Sequence, residues 1–180
     1  MNRLMRFGFG LGIAVALGGL VLLASDEWDK QINNATRFKV QADFANQTVV
    51  DRETTLMWER SPDTFQFDWT TAHAHCNLLT VGNRKGWRLP TVQELATLVD
   101  PSVAPPGPTL PPGNPFMDVQ VFAPVSPPGG SSAYWSANTW SGDPTVAWDV
   151  SFNTGVVANT SKSSPHYAWC VRGGSGVDIQ

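Results

Sequence analysis

The strongest structural signal in the chain is the segment Gly86-Trp87-Arg88-Leu89-Pro90-Thr91-Val92-Gln93-Glu94-Leu95. Thr91 and Glu94 have the spacing of a capping box, in which a hydroxyl and a carboxylate each bond to an unpaired backbone N–H. Apolar residues then recur at helical intervals, and Asp100-Pro101 ends the pattern. The segment therefore predicts a helix that begins after Thr91.

The first half of this segment has residue types that are common in catalytic motifs, but each of them also has a structural use. Trp87 and Leu89 can fill a core, and Pro90 fixes the backbone ahead of the helix. A buried Arg88 needs a carboxylate or backbone carbonyls as partners. We therefore interpret the segment as a structural motif, whose members are Trp87, Arg88, Pro90, Thr91 and Glu94.

Other elements lie on both sides of this helix. An earlier helix is predicted over residues 69–80, because Trp69, Ala72, Cys76 and Leu79 fall on one helical face. A hairpin precedes it, with strands over 38–50 and 56–58 around a polar turn. Later strands are predicted at 134–137, 147–152, 156–157 and 167–172. Strands, two helices and further strands indicate an α+β domain with a twisted antiparallel sheet and long loops.

A proline-rich segment interrupts this pattern. Residues 101–128 contain ten of the fourteen prolines, which cannot donate ladder hydrogen bonds. We expect polyproline II and turns there, laid over the surface or mobile. Because strand patterns resume afterwards, we interpret 101–128 as an insertion in a domain spanning 37–174, with 175–180 as a tail.

The N-terminus is typical of an export signal over residues 1–25. Arg3 and Arg6 precede an uncharged run at residues 7–24, which is the order found in secretory signals. The run is also long enough for a short membrane span, so cleavage and an uncleaved anchor both remain open. In either case the rest of the chain, beginning with a connector at 26–36, is expected in the periplasm, at the cell surface or outside the cell. Membrane contact is expected only through residues 7–24, if they are not cleaved.

The charge of the exported part limits its partners. Without Arg3 and Arg6, 10 of the 12 basic residues remain against 15 acidic ones, a net charge of −5. A nucleic acid needs a basic surface, so we expect no nucleic-acid partner. The same charge argues against capture of sulfated glycans or anionic lipids, unless a local basic patch opposes it.

The two cysteines, Cys76 and Cys170, fit export to an oxidising compartment. A disulfide between them would close a long loop, which the chain-entropy model values at about 4–5 kcal/mol. Two free thiols, or metal ligation with His73 and His75, are the alternatives. In a helix those histidines point about 200° apart, so they cannot both face one ion. We favour the disulfide and expect no metal or cofactor.

Five segments in order resemble a known family. They are Thr48-Val49-Val50-Asp51, Leu56-Met57-Trp58-Glu59, the segment from Gly86 to Leu95, Tyr134-Trp135-Ser136, and Cys170-Val171-Arg172-Gly173-Gly174. Together they are similar to the bacterial domain family named for the C-terminal domain of Legionella collagen-like adhesins, over about residues 37–174. The segment from Trp87 to Thr91 also resembles formylglycine-generating enzymes. Both families imply a C-type-lectin-like fold, in which a disulfide joins the first helix to the last strand.

One residue departs from the adhesin-type family. Thr55 stands where that family usually has glycine after the threonine of the first turn. We therefore expect the hairpin of this chain to use a different turn.

The chain is not expected to be an enzyme. A formylglycine-type oxidase needs a redox-active cysteine pair besides its fold, whereas both cysteines here are assigned to a structural bridge. No Ser-His-Asp set and no pair of carboxylates stands out. The Glu-Pro-Asn and Trp-Asn-Asp sequences of calcium-dependent lectins are absent from the chain.

The most promising region for binding is 136–166, where turns alternate with short polar and aromatic side chains. Such side chains build recognition surfaces at low entropic cost. Trp140, beside Ser141-Gly142, is the best candidate for an exposed aromatic ring. The alternative is that Trp135 and Trp148 are core residues and the Asn and Ser side chains form turns. The candidate ligand-binding residues are Asn138, Trp140, Asp143, Asn153, Asn159 and His166.

These observations predict an exported, non-catalytic, adhesin-like domain that recognises a glycan or a protein through residues 136–166. A structural subunit of a surface or envelope assembly is one alternative, with self-assembly through the proline-rich segment. A diversified-loop binder with a C-type-lectin-like fold is another.

Overall fold

The computed structural model describes residues 34–121 and 132–173. The predicted export signal, most of the connector, part of the proline-rich segment and the tail lie outside these residues. Within the described ranges no helix has both the length and the apolar character needed to cross a membrane.

The described residues form an α+β fold, as predicted. The helices are α1 (Asn34–Arg37), α2 (Trp69–Leu78) and α3 (Val92–Ala96), and a 3₁₀ turn spans Ala42–Phe44. The strands are β1 (Phe38–Val40), β2 (Thr48–Asp51), β3 (Met57–Glu59), β4 (Gln66–Phe67), β5 (Ala133–Thr139), β6 (Val146–Ser151), β7 (Val157–Ser161), β8 (His166–Tyr167) and β9 (Val171–Arg172). The two helices predicted from the sequence are α2 and α3.

The strands form two sheets rather than one. The first has the order β1-β2-β3-β9 and is antiparallel throughout. The second has the order β4-β8-β5-β6-β7, and its β5–β8 pair is parallel. The expectation of a single antiparallel sheet is therefore wrong.

The predicted last strand, 167–172, is also two strands in two different sheets. Between β8 and β9 lie Ala168, Trp169 and Cys170, all fully buried. They cross the core from the second sheet to the first. The continuous apolar run that resembles one buried strand in the sequence is therefore a crossing between two sheets.

The start of α3 follows the predicted capping box. Thr91 Oγ1 accepts a hydrogen bond from the Glu94 N–H at 3.2 Å, and Glu94 Oε2 accepts one from the Thr91 N–H at 2.8 Å. Arg88 donates to both Glu94 oxygens, at 2.8 and 2.6 Å. Burial opposes ionisation of Glu94, but these bonds prevail and lower its pKa. These hydrogen bonds therefore link the segment before α3 to the first turn of the helix.

The core consists of two clusters of buried side chains. In the first, Trp58 and Trp169 pack edge to face with their ring centroids 5.7 Å apart. The second cluster contains Cys76 and Cys170, together with the fully buried Trp135. Burying rings of this size supplies much of the apolar area that stabilises a small domain.

The predicted disulfide is present. It joins Cys76 on α2 to Cys170, the residue immediately before β9, and both cysteines are fully buried. The alternatives of free thiols and of metal ligation by cysteine are therefore excluded. The bond links α2 to the crossing between the two sheets.

The proline-rich segment contributes to the core, contrary to the expected surface position. Thr109 and Leu110 are buried, and Val119 and Val121 pack against the first cluster. The Thr109 N–H donates to the Phe152 carbonyl at 2.8 Å. The non-proline residues of the segment thus supply the backbone donors and apolar side chains that fix it against the second sheet.

The turn between β2 and β3 contains a residue in a backbone conformation that glycine would favour. Thr55 has φ +63°, in the left-handed region that β-branched residues rarely adopt. The Asp51 carboxylate organises this turn, since it accepts bonds from the Glu53 N–H and the Thr54 hydroxyl, each at 3.0 Å. Thr55 itself therefore adopts the left-handed conformation that glycine would favour, and a turn different from that of the family stays a prediction.

Candidate ligand-binding surface

The β5–β6 hairpin ends in a well-bonded turn that contains two of the predicted ligand-binding residues. The Trp140 N–H donates to the Val146 carbonyl at 2.9 Å. Asp143 Oδ1 accepts bonds from the Thr145 hydroxyl at 2.7 Å and from the Thr145 N–H at 2.8 Å. These bonds stabilise the carboxylate and lower the pKa of Asp143. The turn is thus held by its own side chains.

The Trp140 ring rests on a glycine in this turn. A Cβ atom at Gly142 would lie 2.6 Å from Cζ2 of Trp140, closer than carbon atoms can approach. Only glycine leaves room for the ring in this position. Trp140 therefore remains half-buried, with one part of its indole packed on the turn and the rest open.

Trp148 lies on the same face of the second sheet as Trp140. The strand register places both residues there. On β6 and β7, Trp148 is paired with Asn159, and Val146 with Ser161. Directly paired residues point to the same side of a sheet, as do residues two apart along one strand. Since Trp140 bonds to Val146, the two tryptophans are diagonal neighbours. We call this surface the two-tryptophan face and define it by Trp140, Val146, Trp148, Asn159 and Ser161.

Helix α3 bounds the two-tryptophan face on one side. Val150 on β6 points to the same side as Trp148 and packs with Leu95 of α3 in the first core cluster. Trp148 lies beyond the covered part of the strand and is half-buried, whereas Asn159 and Ser161 are exposed. The helix therefore covers one end of this sheet face and leaves the other end open.

The structure brings some of the predicted ligand-binding residues together. Trp140 and Asn159 belong to the two-tryptophan face, and Asp143 lies in the adjoining turn. Asn138 lies beside this face, where its Oδ1 accepts a hydrogen bond from the Val92 N–H at 2.7 Å. Asn138 thus serves the start of α3, and its contribution to the surface is to hold that helix in place.

Two predicted residues lie elsewhere. Asn153 is in the β6–β7 turn, where its backbone carbonyl accepts a bond from the Gly107 N–H at 3.1 Å. His166 is only 4% exposed, and its ring stacks on Trp135 with centroids 4.2 Å apart. Its Nε2 lies 3.6 Å from Asp149 Oδ2. Ligand contact stays a prediction for all six residues, but the geometry favours the residues near Trp140.

Trp148 is a residue of this surface that the sequence suggested only as a core residue, in the alternative to a binding role for residues 136–166. The segment 147–152 alternates as a half-buried strand does, with Trp148 and Val150 on one side. Because both residues are apolar, the alternation alone does not show which of them the core covers. Only the positions of α3 and β7 show that the side is covered at Val150 and open at Trp148.

Each of the two histidines of α2 packs against an aromatic ring. His73 packs edge to face on Trp69 at 4.2 Å, and His75 stacks on Phe67 at 4.6 Å. Burial, and then the charge of Lys162, lower the pKa of His73. Among residues 34–121 and 132–173, no three side chains of His, Cys, Asp or Glu lie close enough together to hold an ion.

The two-tryptophan face combines flat apolar rings with neutral hydrogen-bonding groups. Trp140 and Trp148 offer ring surface, while the Asn159 amide can donate and accept and the Ser161 hydroxyl can do both. None of the five residues that define the face carries a charge. Such a surface suits a ligand that has apolar C–H faces and hydroxyl groups.

Residues 47–172 match the family model described as the Lcl C-terminal domain. The matched range begins just before β2, ends at the last residue of β9, and includes both cysteines and the whole two-tryptophan face. No curated protein matches the chain significantly.

Proposed function

Because the chain belongs to the Lcl C-terminal domain family, an adhesin-like family of surface domains, we propose that it is an exported, non-catalytic binding module that recognises a glycan through the two-tryptophan face. The exported location rests on the family and on the basic and apolar order of residues 1–25. A protein ligand is the alternative that the experiment below distinguishes.

The observation that carries this proposal is the position of Trp140 on Gly142, diagonal to Trp148. An aromatic ring that is already fixed by its own turn loses little conformational freedom when a ligand stacks on it. The Asn159 amide and the Ser161 hydroxyl can then bond to hydroxyl groups at the rim of a sugar ring. A buried apolar centre with a polar rim is the usual arrangement of a binding surface.

Two features support a role without catalysis. His166 is covered by Trp135, and its Nδ1 lies 2.6 Å from the Pro165 carbonyl oxygen, so a substrate would have to displace buried side chains to reach it. Both cysteines are consumed by the disulfide, which leaves no thiol for a formylglycine-type oxidation.

We also propose that the fold is C-type-lectin-like. The proposal is supported by the α+β arrangement and by the disulfide from α2 to Cys170, the residue before the closing strand β9. These are the features that the resemblance implied. In this arrangement the disulfide and the crossing residues form a fixed base, and the β5–β6 hairpin extends from it.

The proposal is tested by probing an array of glycans and matrix proteins with the full chain and with the double variant Trp140→Ala/Trp148→Ala. Phe65→Ala is the matched control, because Phe65 is 72% exposed but lies next to β4, at the opposite edge of the second sheet from β7. We expect glycan signals that the double variant loses and the control keeps. Signals confined to proteins would contradict the glycan assignment, and signals that survive in the double variant would contradict the surface.

A further inference from the structure

A shallow pocket of about 200 Å³ lies beside the first sheet, and it shares no residue with the two-tryptophan face. It is smaller than the roughly 300–1,000 Å³ of sites that enclose drug-sized ligands, so it suits a single small unit. The residues that line it are Asn46, Gln47, Arg60, Ser61, Val81 and Met117.

The pocket contains one charged side chain, Arg60, whose guanidinium is fixed by neutral partners. Its Nε donates to the Pro115 carbonyl at 3.1 Å and its Nη1 donates to the Asn46 carbonyl at 3.3 Å. Nη2 makes no hydrogen bond to the described part of the chain, and no described carboxylate forms an ion pair with Arg60. The carboxylate of Asp118 is instead bonded to the Ser61 hydroxyl. The pocket therefore contains a fixed positive charge. The Arg60 guanidinium also has N–H groups that can donate further hydrogen bonds.

The other residues that line the pocket are uncharged. They provide both hydrogen-bonding groups and apolar surface. Gln47 accepts a bond from the Gly82 N–H at 2.9 Å through its Oε1, which leaves its amide NH₂ to donate elsewhere. Val81 and the half-exposed Met117 supply apolar surface. This combination of amide and apolar groups fits a ligand with hydroxyls and C–H faces.

Two residues at the pocket adopt the left-handed backbone conformation. Asn46, which lines it, has φ +59°, and Asp118, which bonds to Ser61, has φ +55°. Asparagine and aspartate adopt this conformation more readily than other residues with a side chain. In this conformation the Asn46 carbonyl oxygen accepts the bond from Arg60 Nη1, which helps to fix the charge.

We propose that this pocket binds a small hydroxylated carboxylic acid, of the size of one acidic sugar. Arg60 bonds to the carboxylate, because its planar guanidinium matches carboxylate geometry and its Nη2 has no partner among residues 34–121 and 132–173. The Gln47 and Asn46 amides bond to hydroxyl groups, and Val81 and Met117 contact the carbon skeleton. The exported part has a net charge of −5, and the Asp118 carboxylate lies next to the pocket on Ser61. The ligand carboxylate is expected on the Arg60 side of the pocket, because the attraction between opposite charges is strongest at contact distance.

The test uses glucuronate as the probe and glucose as its neutral counterpart, each titrated into the full chain by calorimetry and by amide chemical-shift mapping. Arg60→Gln removes the charge. Val81→Phe fills the pocket and leaves the bonds of Arg60 intact, so it covers the case in which Arg60→Gln impairs folding. Arg52→Gln is the matched control, since Arg52 is an exposed arginine without an ion pair among the described residues.

We expect glucuronate to bind at least about tenfold more tightly than glucose, because hydrogen bonds to charged groups are worth roughly twice neutral ones. Arg60→Gln and Val81→Phe should each weaken glucuronate binding about tenfold or more, and Arg52→Gln should leave it unchanged. Equal binding of the two sugars, or full binding by Val81→Phe, would overturn the proposal. So would acetate or a short peptide carboxylate binding as tightly as glucuronate, because the hydroxyl contacts would then contribute nothing.

Discussion

Asn138 Oδ1 accepts a hydrogen bond from the backbone N–H of Val92 at 2.7 Å, and this bond ties the end of β5 to the first turn of α3. The Val92 N–H has no acceptor within its own helix, because the first N–H groups of any helix lack one. The bond therefore satisfies a donor that the capping box does not reach. It also fixes the boundary between the covered and open parts of the two-tryptophan face.

Asn138→Ala is predicted to destabilise the domain by about 1 kcal/mol, since it leaves a partly buried N–H without its partner. Asn138→Asp should retain most of the stability because a carboxylate oxygen can accept the same bond. Urea unfolding measures both. Asn159→Ala, at an exposed position of β7, serves as the control and should leave the free energy of unfolding unchanged. Equal stability of Asn138→Ala and the wild type would refute this role.

Loss of the disulfide should cost far more. Cys76 and Cys170 are 94 residues apart, and closing a loop of that size is worth about 4–5 kcal/mol in the chain-entropy model. The double variant Cys76→Ala/Cys170→Ala should therefore unfold at a much lower urea concentration than the wild type. Adding reductant should lower the wild-type midpoint and leave the variant unaffected. Detection of free thiols in the folded wild type by mass spectrometry would contradict this account.

Glu59 should make the stability depend on pH. It is 4% exposed, and burial raises its pKa from 4.5 to about 7, with the charge of Asp63 acting in the same direction and the Cys170 N–H opposing it. Between these two pKa values the folded state binds more protons than the unfolded state. Stability therefore falls as the pH rises through this interval, by about 3 kcal/mol in total.

Glu59→Gln should abolish this pH dependence, because an amide oxygen can still accept the bond from the Cys170 N–H without becoming charged. Urea unfolding at a series of pH values measures the effect. Asp43→Asn, at an exposed carboxylate, is the matched control and should preserve the wild-type slope. His73, whose pKa is lowered, contributes in the opposite direction in this interval, so the difference between the wild-type and Glu59→Gln curves isolates Glu59. Equal slopes for these two proteins from pH 4.5 to pH 7 would show that burial does not raise the pKa of Glu59.

Thr55→Gly is predicted to stabilise the chain by about 1 kcal/mol. The substitution relieves a β-branched residue of its left-handed conformation at φ +63°, and this gain exceeds the entropy that glycine adds to the unfolded state. Thr80→Gly provides the comparison at an exposed position with ordinary φ, where glycine should destabilise. Thermal unfolding of both variants measures these changes in stability. An unfolding midpoint for Thr55→Gly below that of the wild type would count against strain at this turn.

Local signals in the sequence predicted the parts of the fold that depend on short-range contacts. The capping box at Thr91 and Glu94, the helical spacing before Cys76 and the hairpin after Thr48 each involve residues close together in the chain. The disulfide was predicted because an exported chain with two cysteines has a single possible pairing within it.

The parts that were missed depend on tertiary context. Ala168, Trp169 and Cys170 have the composition of a buried strand, and only the existence of two sheets makes them a crossing. The burial of Leu110 depends on carbonyl acceptors and apolar side chains far away in the chain. At the candidate surface, the openness of Trp148 follows from the position of α3, which no pattern within β6 reveals.

The two tryptophans beside Asn159 form the proposed binding surface, which the fold holds in place before a ligand arrives. The most direct test is calorimetric titration of the strongest array ligand into the wild type, Trp140→Ala, Trp148→Ala and Phe65→Ala. Each tryptophan variant should lose about tenfold or more in affinity, as expected for aromatic residues at the centre of an interface, and Phe65→Ala should bind as the wild type does. Wild-type affinity in both tryptophan variants would show that the ligand does not bind at this surface.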